Sequence, residues 1–343
     1  MPNLILPHLL LFNIRYVFFM KKFFKMFFLI LFITIIIFII VFHKRILLCY
    51  GIADKYISLK KNIWTTQEFD IQKSSKSMSY KDIIYKNTNG VSLTLDVYGP
   101  IKQVYKSSPV LLYVHGGSFA YGDKNIPDAL SPILDTFREQ GYTIISTSYE
   151  LMKNKENFNK QISDVKDTIR WIYKNKSVYN FDTSEVGVIG ISSGAHLSLM
   201  AGYSTEEDFI DDSELSKYSS KVKYLIDFAG PTDLSLLNTK GLNYDLSKIF
   251  LSIKNKENTI QKYNPIDYVN SKIPNTLIIH SNSDTMVPYE SSTKLYDKGI
   301  EDKANVKLIT LNSTAHDLST ISNDDIISIS EGLLKFVIFN SPL

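Results

Sequence analysis

Residues Val186-Gly187-Val188-Ile189-Gly190-Ile191-Ser192-Ser193-Gly194-Ala195-His196-Leu197-Ser198-Leu199-Met200 decide the reading of this chain. An apolar run leads into a Gly-x-Ser-x-Gly turn, and a helix-like run follows it. Strand, tight turn and helix put Ser192 at the apex. The serine backbone is strained in such a turn, and a side chain at either flanking glycine would crowd the neighbouring strand or helix. The N-terminus of the following helix points free N–H groups at the serine and favours a developing negative charge. Ser192 is the candidate nucleophile. The plain alternative is a Ser/Gly-rich loop without chemistry.

A serine hydroxyl needs a base, an acid that orients the base, and N–H donors for the oxyanion. When the nucleophile sits on such an elbow, the partners follow in the order Ser, Asp or Glu, His, each just after a strand. The chain has six histidines, and only His280 and His316 lie well downstream. His316 follows the strand-like run Val306–Leu311 and precedes the apolar stretch Ile326–Phe339, which reads as a closing helix. It is the candidate base. Asn275–His280 reads as a buried strand and runs into a loop containing Asp284, the candidate acid. Asp317 and Asp267 are weaker rivals. His280 reads as a packed strand-end residue and His196 as a helix-packing residue.

A third element supplies the oxyanion donors. The buried strand Val110–Val114 ends in His115-Gly116-Gly117-Ser118-Phe119. Two glycines at a strand end let the backbone turn and present N–H groups. The candidate donors are Gly116 and Gly117 together with Ser193, and His115 holds the loop by hydrogen bonds. An ordinary Gly-Gly turn is the alternative.

Together these segments resemble the α/β-hydrolase superfamily, on the branch of carboxylesterases and lipases with HGG oxyanion loops. That branch includes the hormone-sensitive-lipase-like and the acetyl- or feruloyl-esterase-like groups. The resemblance rests on Tyr113–Lys124, Gly190–Leu197, Gly230-Pro231-Thr232-Asp233-Leu234, the Asp284 and His316 loops and Asp164–Asp182, and covers roughly residues 80–340. It implies a serine hydrolase that cleaves small carboxylic esters through an acyl-enzyme, with Ser192, Asp284 and His316 as its triad. The chain departs from many relatives at Ser118-Phe119 and at Ser193-Gly194-Ala195, which leaves the acyl pocket open. Two alternatives stand: an amidase, arylformamidase or peptidase with the same triad, and a silent fold used for binding.

Ahead of this region, Met26–Phe42 is apolar except for Thr34. At 1.5 Å per residue it spans roughly 26 Å, and Lys25 can snorkel to lengthen it. The run is longer than a secretory signal and leads straight into His43-Lys44-Arg45. It is expected to be an uncleaved transmembrane anchor, with 1–25 as an n-region and 43–78 as a polar, partly helical connector. Met20-Lys21-Lys22 resembles an n-region in its own right, so Met20 is an alternative start. Cys49 fits a lipidation site poorly. Lysines and arginines flank the span on both sides, so orientation stays open, with a lean toward an outward-facing catalytic domain taken from the exported relatives. As the only cysteine, Cys49 permits no intrachain disulfide.

The rest of the chain bounds the fold. Residues 79–343 suffice for one large α/β catalytic domain. Strands are expected near 80–87, 91–98, 109–114, 142–149, 185–190, 222–229, 275–280 and 305–311. Helices are expected near 127–140, 158–176, 194–203, 289–300 and 322–338. The alternation predicts a mostly parallel eight-stranded sheet flanked by helices. The stretch 231–274 is long for a crossover and is expected to hold a small cap, with Tyr244, Phe250 and Tyr263 as candidate lining or, equally, as cap core. A net charge of +3 on 343 residues, with scattered basic residues, suggests no nucleic-acid surface. No metal or nucleotide motif is present, so no cofactor is expected.

Overall fold

Strand β3, Ser108–Val114, is buried at every position. Its sequence reads SPVLLYV, a continuous apolar run rather than an alternating one, because a central parallel strand is covered on both faces. Its alternate side chains enter two different cores. Val110, Leu112 and Val114 join one, and Leu111 and Tyr113 join the other. Helices therefore lie on both faces of the sheet.

A computed structural model describes residues 5–64, 79–88, 90–127, 130–237, 253, 255–312, 315–316 and 320–340. The chain divides into two compact units, Met1–Leu47 and Leu48–Pro342. In the second, the sheet is built from β1 Tyr80–Thr88, β2 Val91–Tyr98, β3, β4 Thr143–Thr147, β5 Phe181–Ile191, β6 Tyr224–Phe228, β7 Asn275–Ser281 and β8 Val306–Leu311. The spatial order is β1-β2-β4-β3-β5-β6-β7-β8. The pairs β1–β2 and β2–β4 are antiparallel, and every other neighbouring pair is parallel. The expected mostly parallel, eight-stranded α/β sheet is the one observed.

On one face pack α3 Phe158–Lys174, α5 Ser193–Tyr203 and, through Leu295, α7 Tyr289–Glu301. On the other pack α2 Ser131–Glu139 and α8 Asn323–Asn340, through Leu134, Phe137, Ile329, Leu333 and Phe336. Helix α3 buries Phe158, Ile162, Val165, Ile169 and Ile172, three or four residues apart, which is one helical stripe. The short helix α4, Lys176–Tyr179, leads from α3 into β5, and α6, Lys256–Tyr263, precedes β7. The expected elements match within a few residues. Two start four residues off: α2 begins late at Ser131, and β5 begins early at Phe181 because Ser108 and Pro109 pair with Phe181 and Asp182 ahead of a bulge.

Beneath the sheet face of α3 lies a buried ionic group. Lys86 of β1 reaches Asp164 Oδ1 at 2.9 Å, Asp211 Oδ2 at 2.7 Å, and Asp167. These three carboxylates lie close enough together to hold a cation, and the Lys86 ammonium already fills that role.

Helix α1 runs from Ile5 to Trp64. It extends well past the apolar run and takes in much of the segment expected to be a connector. Residues 65–78 lie outside the described residues. Phe19–Gly51 is long and apolar enough to cross a membrane. Large apolar side chains such as Phe19, Phe28 and Ile40 are exposed along it. Thr34, the one polar residue of the run, turns its hydroxyl back to Ile30 O at 2.7 Å and Leu31 O at 2.9 Å. Its donor is thereby satisfied inside the helix.

Candidate active site

Strand β5 ends at Ile191 and α5 begins at Ser193, which leaves Ser192 alone in the turn at φ 53° and ψ −122°. This left-handed backbone is strained for a residue with a side chain. The Ser192 N–H donates to Phe228 O at 2.8 Å and so ties the elbow to the end of β6. A Cβ on Gly190 would lie 2.5 Å from Ala195 Cα, and one on Gly194 would lie 2.3 Å from the carbonyl oxygens of Val114 and His115. The first position abuts α5 and the second the end of β3, which is why both are glycine.

His316 lies between β8 and α8. Its Nε2 is 2.9 Å from Ser192 Oγ, and its Nδ1 is 2.6 Å from Asp284 Oδ2. With Nδ1–H donating to the carboxylate, Nε2 is free to accept from the serine hydroxyl. Strands β5, β7 and β8 thus deliver the three residues at their C-terminal ends, where open α/β sheets place their sites.

Asp284 is held by four N–H donors. Oδ1 accepts from the backbone of Met286 at 2.8 Å and of Val287 at 2.9 Å. Oδ2 accepts from His316 and, at 3.1 Å, from His280 Nε2. Burial alone would raise the carboxyl pKa. The hydrogen bonds from His280 and His316, the His316 charge and the Val287 N–H outweigh it and hold the group well below the usual carboxylate range.

On the opposite side stands the glycine loop. A Cβ on Gly116 would lie 3.3 Å from Ser192 Cβ, so this loop backs directly onto the elbow. Gly117 takes φ 123°, and Ser118 and Phe119 follow at 52° and 68°. Among the described residues, the N–H groups of Gly116, Gly117 and Ser193 donate no backbone hydrogen bond. His115 Nδ1 donates to Gly116 O at 2.7 Å, while its ring stacks on Tyr149 at 4.3 Å. The Tyr149 hydroxyl donates to His115 O at 3.0 Å. Both therefore brace the loop. A cavity of about 30 Å³ opens beside the elbow, lined by Ser118, Phe119, Ser192, Ser193, Pro231, Leu237, Met286 and Val287. A larger one of about 770 Å³, at the opposite ends of β6 and β7, holds none of these residues.

The remaining sequence candidates fall elsewhere. His196 is fully buried, hydrogen-bonded through Nδ1 to Pro231 O at 2.7 Å and packed against Phe119 and Phe158, as a helix-packing residue should be. Asp267 sits in a 3-10 turn, Pro265–Tyr268, and accepts from Asn264. Asp317, Tyr244 and Phe250 lie outside the described residues. Of the two readings open for Tyr263, the core one fits. The ring is buried among Phe158 and Phe209 in the main core, where α6 packs it. His280 is more than a packed strand end, because it touches Asp284. The only sequence signal for that contact is the four-residue spacing between the two.

The chain matches the BD-FAE family over residues 95–298, a span that holds Ser192 and Asp284 and ends before His316. It is similar to esterase LipC of Mycobacterium tuberculosis, 27% identical over 212 residues, 60% of this chain and 51% of LipC. It is also similar to arylacetamide deacetylase of Bos taurus, 28% identical over 134 residues, 38% of this chain and 33% of that protein. The chain thus spans about half the length, or less, of these curated relatives. Among solved structures, a truncated carbohydrate esterase from gut microbiota superposes with a TM-score of 0.63 at 22% identity, covering 77% of this chain and 98% of that one. Propionate-bound esterase 2 of Thermogutta terrifontis gives 0.60 at 18%, covering 77% and 95%. At such identities the likeness is one of fold, and it is the fold that the strand order already described. With that sheet, and with the match over more than half of its residues, this chain belongs to the BD-FAE family of α/β-hydrolases.

Proposed function

We propose that the protein is a serine carboxylesterase anchored by α1, with Ser192 as nucleophile, His316 as base and Asp284 as the acid that orients it. The observation that carries this reading is the continuous hydrogen-bonded line Ser192 Oγ–His316 Nε2 and His316 Nδ1–Asp284 Oδ2, at 2.9 and 2.6 Å. Ser192 Oγ attacks the ester carbonyl as its proton passes to His316 Nε2. The oxyanion meets the N–H groups of Gly116, Gly117 and Ser193. Collapse expels the alcohol, which takes the proton from His316. A water deprotonated by His316 then hydrolyses the acyl-enzyme and regenerates Ser192. The apolar lining by Phe119, Pro231, Leu237, Met286 and Val287 favours an apolar substrate group beside the serine.

Relatives named as esterases support carboxylic esters as the substrate class. A relative named for deacetylating arylacetamides favours a second reading, in which the same groups cleave an acyl amide. The test is active-site labelling with a fluorophosphonate, followed by turnover on esters of graded chain length and on matched amides. Wild-type chain should label and Ser192→Ala should not. Equal labelling of both would reject Ser192.

A further inference from the structure

Asp284 Oδ2 serves two imidazoles, and only one of them faces the serine. The two are held differently. His316 lies on a loop and is 13% exposed at its side chain, whereas His280 lies within β7, one residue before its end, with no exposure. The Ser292 hydroxyl, on α7, lies 2.7 Å from His280 Nδ1, and the Tyr289 ring meets the imidazole edge-on. With Ser292 donating to Nδ1, Nε2 carries the proton and donates it to Asp284 Oδ2, with Val287 O at 3.2 Å as a second acceptor. The backbone N–H groups of Met286 and Val287 fix Oδ1 alone and leave the carboxylate a pivot.

We propose that His280 is a positioning residue, which fixes Oδ2 from the rigid strand side and thereby sets the angle at which His316 addresses Ser192. The inference rests on the esterase reading above. A side chain that only filled space at 280 would be replaceable by any group of similar size, whereas a positioning donor requires an N–H at the place of Nε2.

The experiment uses the full chain with p-nitrophenyl acetate, thermal melting and fluorophosphonate labelling. His280→Gln keeps an N–H near the Nε2 place, and His280→Met keeps the length without a donor. The Met variant should lose about 10-fold or more in kcat with KM within about twofold, since small misplacements of a reacting group cost on this scale. The Gln variant should stay within about threefold of wild type. Ser292→Ala, which frees the tautomer without touching Asp284, should lower kcat at unchanged KM. Folded Gln and Met variants that are equally impaired, or a Met variant at wild-type kcat, would overturn the proposal. Where the Met variant fails to fold, wild-type kcat in Ser292→Ala overturns it. Wild-type chain that the fluorophosphonate does not label points instead to failure of the triad reading, whatever position 280 does.

Discussion

The His115 carbonyl oxygen lies 2.3 Å from the point where a Cβ on Gly194 would sit, so helix α5 and the Gly116-Gly117 loop meet backbone to backbone. Gly194→Ala must therefore push them apart. We expect a loss of about 1–3 kcal/mol, the usual cost of overpacking, together with a lower kcat. Urea unfolding and steady-state kinetics read the two effects separately. A variant with wild-type stability and rate would show that the contact is loose.

Ser192→Ala should lose on the order of 10⁴-fold in turnover while the domain stays folded. Ser192→Gly should be equally inactive yet more stable than Ser192→Ala, by about 1 kcal/mol, because glycine accepts the backbone at φ 53° without strain. Denaturant midpoints of the two dead variants provide the comparison. Equal midpoints would mean that the elbow stores no strain.

Asp284→Asn should abolish most activity, since four N–H donors face the carboxylate and an amide must turn its NH₂ toward two of them. The stability effect follows from its depressed pKa. The contribution of Asp284 is fully present above the unfolded value of about 3.9 and is lost as pH falls toward the folded value. The stability gap between wild type and Asp284→Asn should accordingly narrow below about pH 4. A gap that is constant with pH would mean that the carboxylate is not held this way.

Two other buried groups give opposed pH slopes. Burial lowers the His196 pKa to about 4, and burial raises that of Asp227 to about 7. Between about pH 6.5 and 4 the unfolded chain takes up a proton at His196 that the folded chain refuses, so this contribution falls with acid. Between about pH 4 and 7 the folded chain keeps a proton at Asp227 that the unfolded chain releases, so this contribution falls with base. They are worth on the order of 3 kcal/mol for His196 and 4 kcal/mol for Asp227. Asp227→Asn should stabilise above pH 7 and not below 4, and His196→Asn should flatten the acid side. Denaturation series across pH check both signs.

Full-length protein should partition with membranes and resist both high salt and alkaline carbonate. Salt weakens surface attachment but not the burial of an apolar span such as Phe19–Gly51. Release by salt would assign the helix to the membrane surface, and a soluble chain shortened after the apolar run would reveal a signal peptide.

Much of this was legible in the sequence because the signals are local. Buried parallel strands read as apolar runs, and the elbow and the His-Gly-Gly turn each sit within a few residues of such a run. Chain order then leads to Asp284 and His316, which the fold brings to Ser192 from far along the chain. What stayed hidden depends on pairing between elements. His280 reads as the last residue of a strand, and nothing local says that the next loop folds back onto its ring. Tyr149 braces His115 only because β4 lies beside β3. Tyr263 reads as lining or core of a cap, yet α6 turns it inward onto Phe158 and Phe209 of the main core. The helical extent of α1 past Phe42 is legible in part, since Leu48, Ile52, Tyr56, Leu59 and Ile63 recur three or four residues apart.

The three groups of the Ser192 line follow directly on the ends of three separate strands, while the side chains around the adjoining cavity come largely from the other loops and from the 231–274 insertion. Reactivity and selectivity are thus written in different parts of the chain. Residues such as Leu237 and Met286 can change without disturbing the sheet that aligns the reacting atoms, so new preferences are open to this scaffold through single substitutions at the rim. The Ser192–His316–Asp284 line has less latitude, because the strand ends of the sheet fix where its turn and loops begin.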